Sequence, residues 1–153
     1  NLESLADYCF RRASHEQDVG SKEIAQVLWD SMRVAIEEAP APPSDGRHAA
    51  LHLLILMEAG DRDAALDMAR EGIERFGSRG CGEFFGIQSC EMAARVFARF
   101  GAHDEAIDLL EEMLPAPSWL TVHILEIDPI WDPLRDHPRF QALLEEYADD
   151  VEH

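Results

Sequence analysis

Three evenly spaced glycines constrain this chain more than any other feature. Gly20, Gly60 and Gly101 stand 40 and 41 residues apart, and each is followed five positions later by an alanine: Ala25, Ala65 and Ala106. The stretches around them carry apolar residues at steps of three and four. Ile24, Val27, Leu28, Met32 and Ile36 form one such stripe, and Leu66, Ala69, Ile73 and Phe76 another. Met92, Val96, Phe97 and Phe100, then Ile107, Leu110 and Leu114, continue the pattern. Glycine ends a helix easily because it adopts the left-handed conformation without Cβ strain. Side-chain acceptors or acids follow at once, in Ser21 with Glu23, Asp61 with Asp63, and Asp104 with Glu105, as new helix N-termini favour. A short glycine turn makes the two helices antiparallel, and a small residue early in the second lets them approach closely. Units of this kind cannot bury their apolar faces alone, so they stack.

Proline, glycine and serine divide the chain further, at 40–46, 77–82 and 114–118. Long β-branched alternation is absent. The nearest case, Thr121–Ile127, has strand propensity, but Ser118 can cap it and no second strand exists to pair with it, so a helix is expected there. The expected fold is therefore all-α and a single domain over residues 1–153. Its helix pairs fall at about 2–38, 46–76 and 84–114, with a C-terminal cap at 118–148.

Composition narrows the function. The chain has 153 residues, Lys+Arg 13 against Asp+Glu 31, and a formal charge of -18. That balance disfavours nucleic acid and anionic membranes, whose binders neutralise phosphate with positive charge. Residues 121–153 are the most acidic, with nine acids and two bases. The longest apolar run, Leu53–Met57, is far short of the ~20 residues that span a bilayer. The first residues do not read as a signal peptide, and a start at Asn1 suggests processing or a piece of a longer chain. Cys9, Cys81 and Cys90 are odd in number and lack paired spacing, so no disulfide framework is expected and a reducing, cytoplasmic compartment fits better.

The repeat resembles the tetratricopeptide repeat, a helix–turn–helix unit with a small residue in the first helix and an alanine early in the second. The first-helix small position falls on Ala13, Leu53 and Ala94, and the aromatic position three later on Glu16, Leu56 and Phe97. The second-helix alanine is Ala25, Ala65 and Ala106, with Trp29, Ala69 and Leu110 four beyond. Departures are Cys9, Ala49 and Cys90 where the family has tryptophan, bulky Leu53, and a period above the family's ~34. The segment Asp128–Leu144 is similar to the closing segment of bacterial tetratricopeptide regulators such as kinases, cyclases and transcription activators. Its physics reads as a cap. Asp132-Pro133 and Asp136-His137-Pro138 suit helix starts, Trp131 and Leu134 suit a plug, and Phe140, Leu143, Leu144 and Tyr147 form one stripe. Glu145, Glu146, Asp149 and Asp150 supply a polar outer face.

Catalytic patterns are missing. His48 and His52 share a helix face at i, i+4, but the zinc-protease pattern needs glutamate where Ala49 stands, so structural histidines are expected. Cys81 and Cys90 lack zinc spacing. Glu83-Phe84-Phe85-Gly86 reads as a linker packing onto the groove, with a ligand anchor as the alternative. Gly80-Cys81-Gly82 is not a phosphate loop, and no GxSxG occurs. Adjacent acids such as Glu37-Glu38, Glu111-Glu112 and Glu145-Glu146 point about 100° apart on a helix and do not converge. The expectation is no enzyme, with no catalytic, cofactor or metal residues.

The resemblance implies a concave groove lined by the first helices of the pairs. In this register it draws on Phe10 and Ser14, then Arg47, Ala50, Leu54, Met57 and Glu58, then Gln88, Glu91, Arg95 and Arg99. The candidate peptide-binding residues are Arg47, Leu54, Met57, Glu91, Arg95 and Arg99. Arg95 and Arg99 lie one turn apart, and either receive a carboxylate of a peptide or pair with Glu91 or Asp104. The family's carboxylate clamp for chaperone tails is not reproduced. The expected function is a non-catalytic interaction domain that binds a protein or peptide partner in the groove, without nucleic acid or membrane. The alternative is a free-standing acidic chaperone or inhibitor that masks a basic partner.

Overall fold

The computed structural model describes Arg12 and residues 20–37, 46–76, 84–115 and 120–148. Among these residues every regular element is helical. The order is α1 (Lys22–Glu37), α2 (Gly46–Ala59), α3 (Arg62–Phe76), α4 (Phe84–Arg99), α5 (His103–Met113), α6 (Val122–Ile127), a 3₁₀ turn (Pro129–Leu134) and α7 (Pro138–Glu146). No helix among the described residues is long and apolar enough to cross a membrane. Of residues 1–19 only Arg12, which is helical, is described.

The two glycine turns within the described pairs are built alike. Gly60 and Gly101 have φ of 76° and 89°. In each turn the next residue donates its N–H back across the glycine, Asp61 to the Leu56 carbonyl at 3.0 Å and Ala102 to the Phe97 carbonyl at 2.9 Å. This six-to-one bond closes the helix by satisfying a carbonyl that the last turn leaves open. Helix starts follow. Asp61 Oδ1 accepts from the Ala64 N–H at 3.4 Å, and Ser21 Oγ from the Ile24 N–H at 3.4 Å. Ala102 caps α5 without a side-chain bond, and Asp104 and Glu105 place negative charge in its first turn.

α4 is the hub. It packs against α2, α3, α5 and the 3₁₀ turn, while α1 packs on the far side of α2. The small, aromatic and second-helix register positions that the structure describes are buried: Ala25, Trp29, Leu53, Leu56, Ala65, Ala69, Ala94, Phe97, Ala106 and Leu110. The alanines let backbones approach, and the larger residues fill the space that remains. Ala25, Trp29 and Met32 of α1 meet Ile55 of α2, whereas Leu53, Leu56 and Met57 join the main core. The apolar run Leu53–Met57 of α2 is thus explained by helices on both flanks.

The C-terminal end closes the core. Trp131, Leu134 and Phe140 are fully buried, and Leu143 nearly so. Each such side chain contributes about 1.5–3 kcal/mol of burial. Leu144 and Tyr147 pack at the edge of this cluster, and Glu145 and Glu146 face outward. Several local expectations need correction. Thr121, not Ser118, caps α6, its side chain accepting from the Ile124 N–H at 3.4 Å. Asp128-Pro129, not Asp132-Pro133, starts the 3₁₀ turn, with Asp128 Oδ1 accepting from the Ile130 N–H at 3.1 Å. Both segments offer an acid before proline, and the earlier one wins because it directly follows the end of α6. His137 caps α7 through Nδ1, with Pro138 in the first turn. Phe84, Phe85 and Gly86 belong to the first turn of α4 and are not a linker. Ser118, Asp149 and Asp150 lie outside the described residues.

Cys90 is disulfide-bonded, its partner lying outside the described residues. One bridge is thus present where the odd, unevenly spaced cysteines led to the expectation of no disulfide framework and a reducing compartment. Spacing along the sequence misses such a bond because a bridge requires only that folding bring two Cβ atoms within reach.

Candidate groove between α2 and α4

The side-by-side packing of α2 and α4 leaves a groove of about 350 Å³, lined by Ala50, Leu51, Leu54, Glu91, Met92 and Arg95. These residues pair off along the 41-residue register: Ala50 with Glu91, Leu51 with Met92, Leu54 with Arg95. The same register brings Glu58 opposite Arg99, whose Nη1 lies 3.3 Å from Glu58 Oε1 across a sequence separation of 41. Equivalent positions of the two repeats therefore face each other, and the repeat itself builds the groove. The α2 wall is apolar, while the α4 wall carries charge.

Arg95 is held from several directions. Its Nη2 lies 2.9 Å from Glu91 Oε1 and 3.2 Å from Asp128 Oδ2. Its guanidinium carbon sits 5.7 Å from the centroid of the Trp131 ring, within cation–π range. Both carboxylates are only partly exposed, Glu91 at 12% and Asp128 at 28%. Asp128 serves twice, capping the 3₁₀ turn with Oδ1 and clamping Arg95 with Oδ2. The indole N–H of Trp131 is buried without a hydrogen-bond acceptor among the described residues.

The candidate residues divide as follows. Leu54, Glu91 and Arg95 line the groove, and Arg99 stands at its end, tied to Glu58. Met57 does not: at 3% exposure it belongs to the core beneath α2. It lies three positions after Leu54, and α3 and α4 cover the face it occupies. The side chains of Arg47 and Gln88 lie outside the described residues, as do Phe10 and Ser14. The sequence reading of the groove did not include Leu51, Met92 or Asp128. Leu51 and Met92 were within reach, because each follows a groove position and the 41-residue register pairs them. Nothing local in the sequence marks Asp128 as Arg95's partner.

Two further ion clusters staple the opposite side. Arg70 of α3 makes a two-pronged contact with Glu105 of α5, at 2.7 and 2.9 Å. The hydrogen bonds from Arg70 hold the Glu105 carboxyl below its ordinary range. Arg139 of α7 reaches Asp108 at 2.7 Å and Glu111 at 2.9 Å, and these carboxylates raise its already high pKa further. His137 Nε2 lies 3.2 Å from Asp104 Oδ1. His52 is half-buried in α2, and among the described residues no three His, Cys, Asp or Glu side chains are grouped to hold a metal. No protein-family model, curated protein or solved structure matches the chain.

Proposed function

We propose that the chain is a non-catalytic, tetratricopeptide-like interaction domain that docks a peptide or helix of a partner protein between α2 and α4. In this reading the helix pairs form a short right-handed superhelix, α2 and α4 lie on its concave side, and the C-terminal segment from α6 to α7 closes it. A bacterial regulatory protein is the context that the resemblance suggests, while the disulfide at Cys90 removes the cysteine argument for a reducing, cytoplasmic setting. One observation carries the reading. The six residues of the groove come in repeat-equivalent pairs, so the site is a product of the stacking itself. Leu51, Leu54 and Met92 are its apolar contacts, and half-buried leucines beside charged residues make a recognisable docking surface.

Arg95 and Arg99 take a different part from that of a carboxylate receiver. Each already has a carboxylate of the chain itself, so they shape the groove wall. The informative probe is therefore Leu54→Glu, which places a charge where an apolar contact is proposed. A pull-down comparing wild type with Leu54→Glu, at low and moderate salt, tests the reading. A partner lost with Leu54→Glu and retained at moderate salt supports it. The second reading, an acidic mask for a basic partner, rests on the charge of -18 and on the outward-facing Glu111, Glu112, Glu145 and Glu146. It predicts a partner lost with salt and indifferent to Leu54→Glu.

A further inference from the structure

We infer that His137 is a proton-operated latch: neutral, it holds the start of α7 closed against α5, and on taking up a second proton it lets that start go. The ring is engaged on both nitrogens. Nδ1 accepts from the Arg139 N–H at 3.2 Å and so caps α7, and Nε2 lies 3.2 Å from Asp104 Oδ1 on α5. A main-chain N–H only donates, so Nδ1 carries no proton. The single proton of the neutral ring is then on Nε2, the nitrogen beside the carboxylate. One tautomer thus serves both contacts.

Pro138 opens α7 and has no N–H, so the Arg139 N–H is the first in the helix that needs a partner. The Gln141 N–H bonds the His137 carbonyl at 3.1 Å, so His137 organises the first turn through its ring and its backbone together. Arg139, whose N–H is capped, is also the residue whose side chain grips Asp108 and Glu111 of α5. A second proton turns Nδ1 from an acceptor into a donor. The Arg139 N–H then loses its partner, and a cation stands at a helix N-terminus, where the dipole disfavours it. Asp104 faces Nε2 in either form, so it draws the charged ring toward α5 and away from the cap; Arg139 Nη1 also reaches it, at 3.7 Å. Among the other ionisable groups on the neighbouring elements, Glu105 is held by Arg70, His123 pairs with Glu126 and Asp132 with Arg135. His103 and Glu112 of α5 and the exposed Asp136 complete the set.

The test is amide hydrogen exchange by NMR on the full chain between about pH 5 and 8, the range in which histidine changes charge, with the His137 ring protons followed in the same samples. Protection factors are compared, because they remove the ordinary pH dependence of exchange. The expected result is an Arg139 protection factor that falls by about five-fold along the His137 titration curve, the factor that a typical helix cap is worth. Val96 of α4 serves as the control and should hold. His137→Asn supplies a capping oxygen that does not titrate, and in it the Arg139 protection factor should stay flat. Asp104→Asn keeps an oxygen beside Nε2 and should retain the response. Arg139 protection that ignores the titration of the ring would overturn the inference, and so would a ring that does not titrate in this range. A response that survives in His137→Asn would also overturn it, since the proton responsible would then be bound elsewhere.

Discussion

Replacing glycine by alanine at three positions should change stability with opposite signs, decided by backbone geometry alone. Gly60 and Gly101 end helices with φ of 76° and 89°, whereas Gly72 lies inside α3. At all three, an added Cβ meets nothing within 4 Å, so packing does not differ among them. What differs is the chain conformation. An L-residue held in the left-handed region costs about 1–2 kcal/mol, so Gly60→Ala and Gly101→Ala should destabilise by that amount. Gly72→Ala removes the entropic penalty of glycine in a helix and should stabilise by about 0.5–1 kcal/mol. For a domain of this size 1 kcal/mol moves the melting point by about 2–4 °C. The turn variants should therefore melt about 2–8 °C below wild type, and Gly72→Ala about 1–4 °C above it. Thermal unfolding followed by circular dichroism, with urea midpoints as a second measure, reads the difference. A melting point unchanged or raised in Gly60→Ala and Gly101→Ala would refute the assignment of Gly60 and Gly101 as left-handed helix ends. With it would go the explanation of the repeat as two turns of one design.

Four other outcomes follow from the same geometry. Arg95→Met should destabilise by about 1.5–3 kcal/mol, since Glu91 and Asp128 lose a charge-assisted partner; a double-mutant cycle with Glu91→Gln should show strong coupling. Glu105 has a folded pKa below its unfolded value, so its contribution is complete above the unfolded pKa and is lost as pH falls through the depressed one; urea midpoints should drop below about pH 4.5, less steeply in Glu105→Gln. Arg139→Ala should cause a small loss of stability that fades in high salt, because the bridges to Asp108 and Glu111 are solvent-exposed; melts at two salt concentrations check this. Thiol titration of the denatured, unreduced chain should find one free thiol of the three cysteines, rising to three after reduction, and Cys90→Ser should remove the bridge.

Glycine spacing and the steps of three and four were enough to read an all-helical chain among the described residues. These are local properties: a helix period, a left-handed residue and a cap each act over a few neighbours. The buried set was legible too, because the register that places Ala65, Ala106, Leu56 and Phe97 also makes them the inward face. Assigning the faces of α2 required the tertiary structure. Leu53 to Met57 is apolar throughout, so the sequence offers no moment to orient it, and only packing against α1, α3 and α4 sends Met57 inward and leaves Leu54 at the groove. Arg95 shows the same limit for charge. Its bond to Glu91 was readable from i, i+4 spacing, but its clamp by Asp128 and its seat over Trp131 depend on where the C-terminal segment docks. The bridge at Cys90 belongs with these, as its cysteine spacing gave no sign of it. Local propensity therefore wrote the helices and the inward face, whereas the chemistry of the groove came from contacts between segments that have no local signal in common.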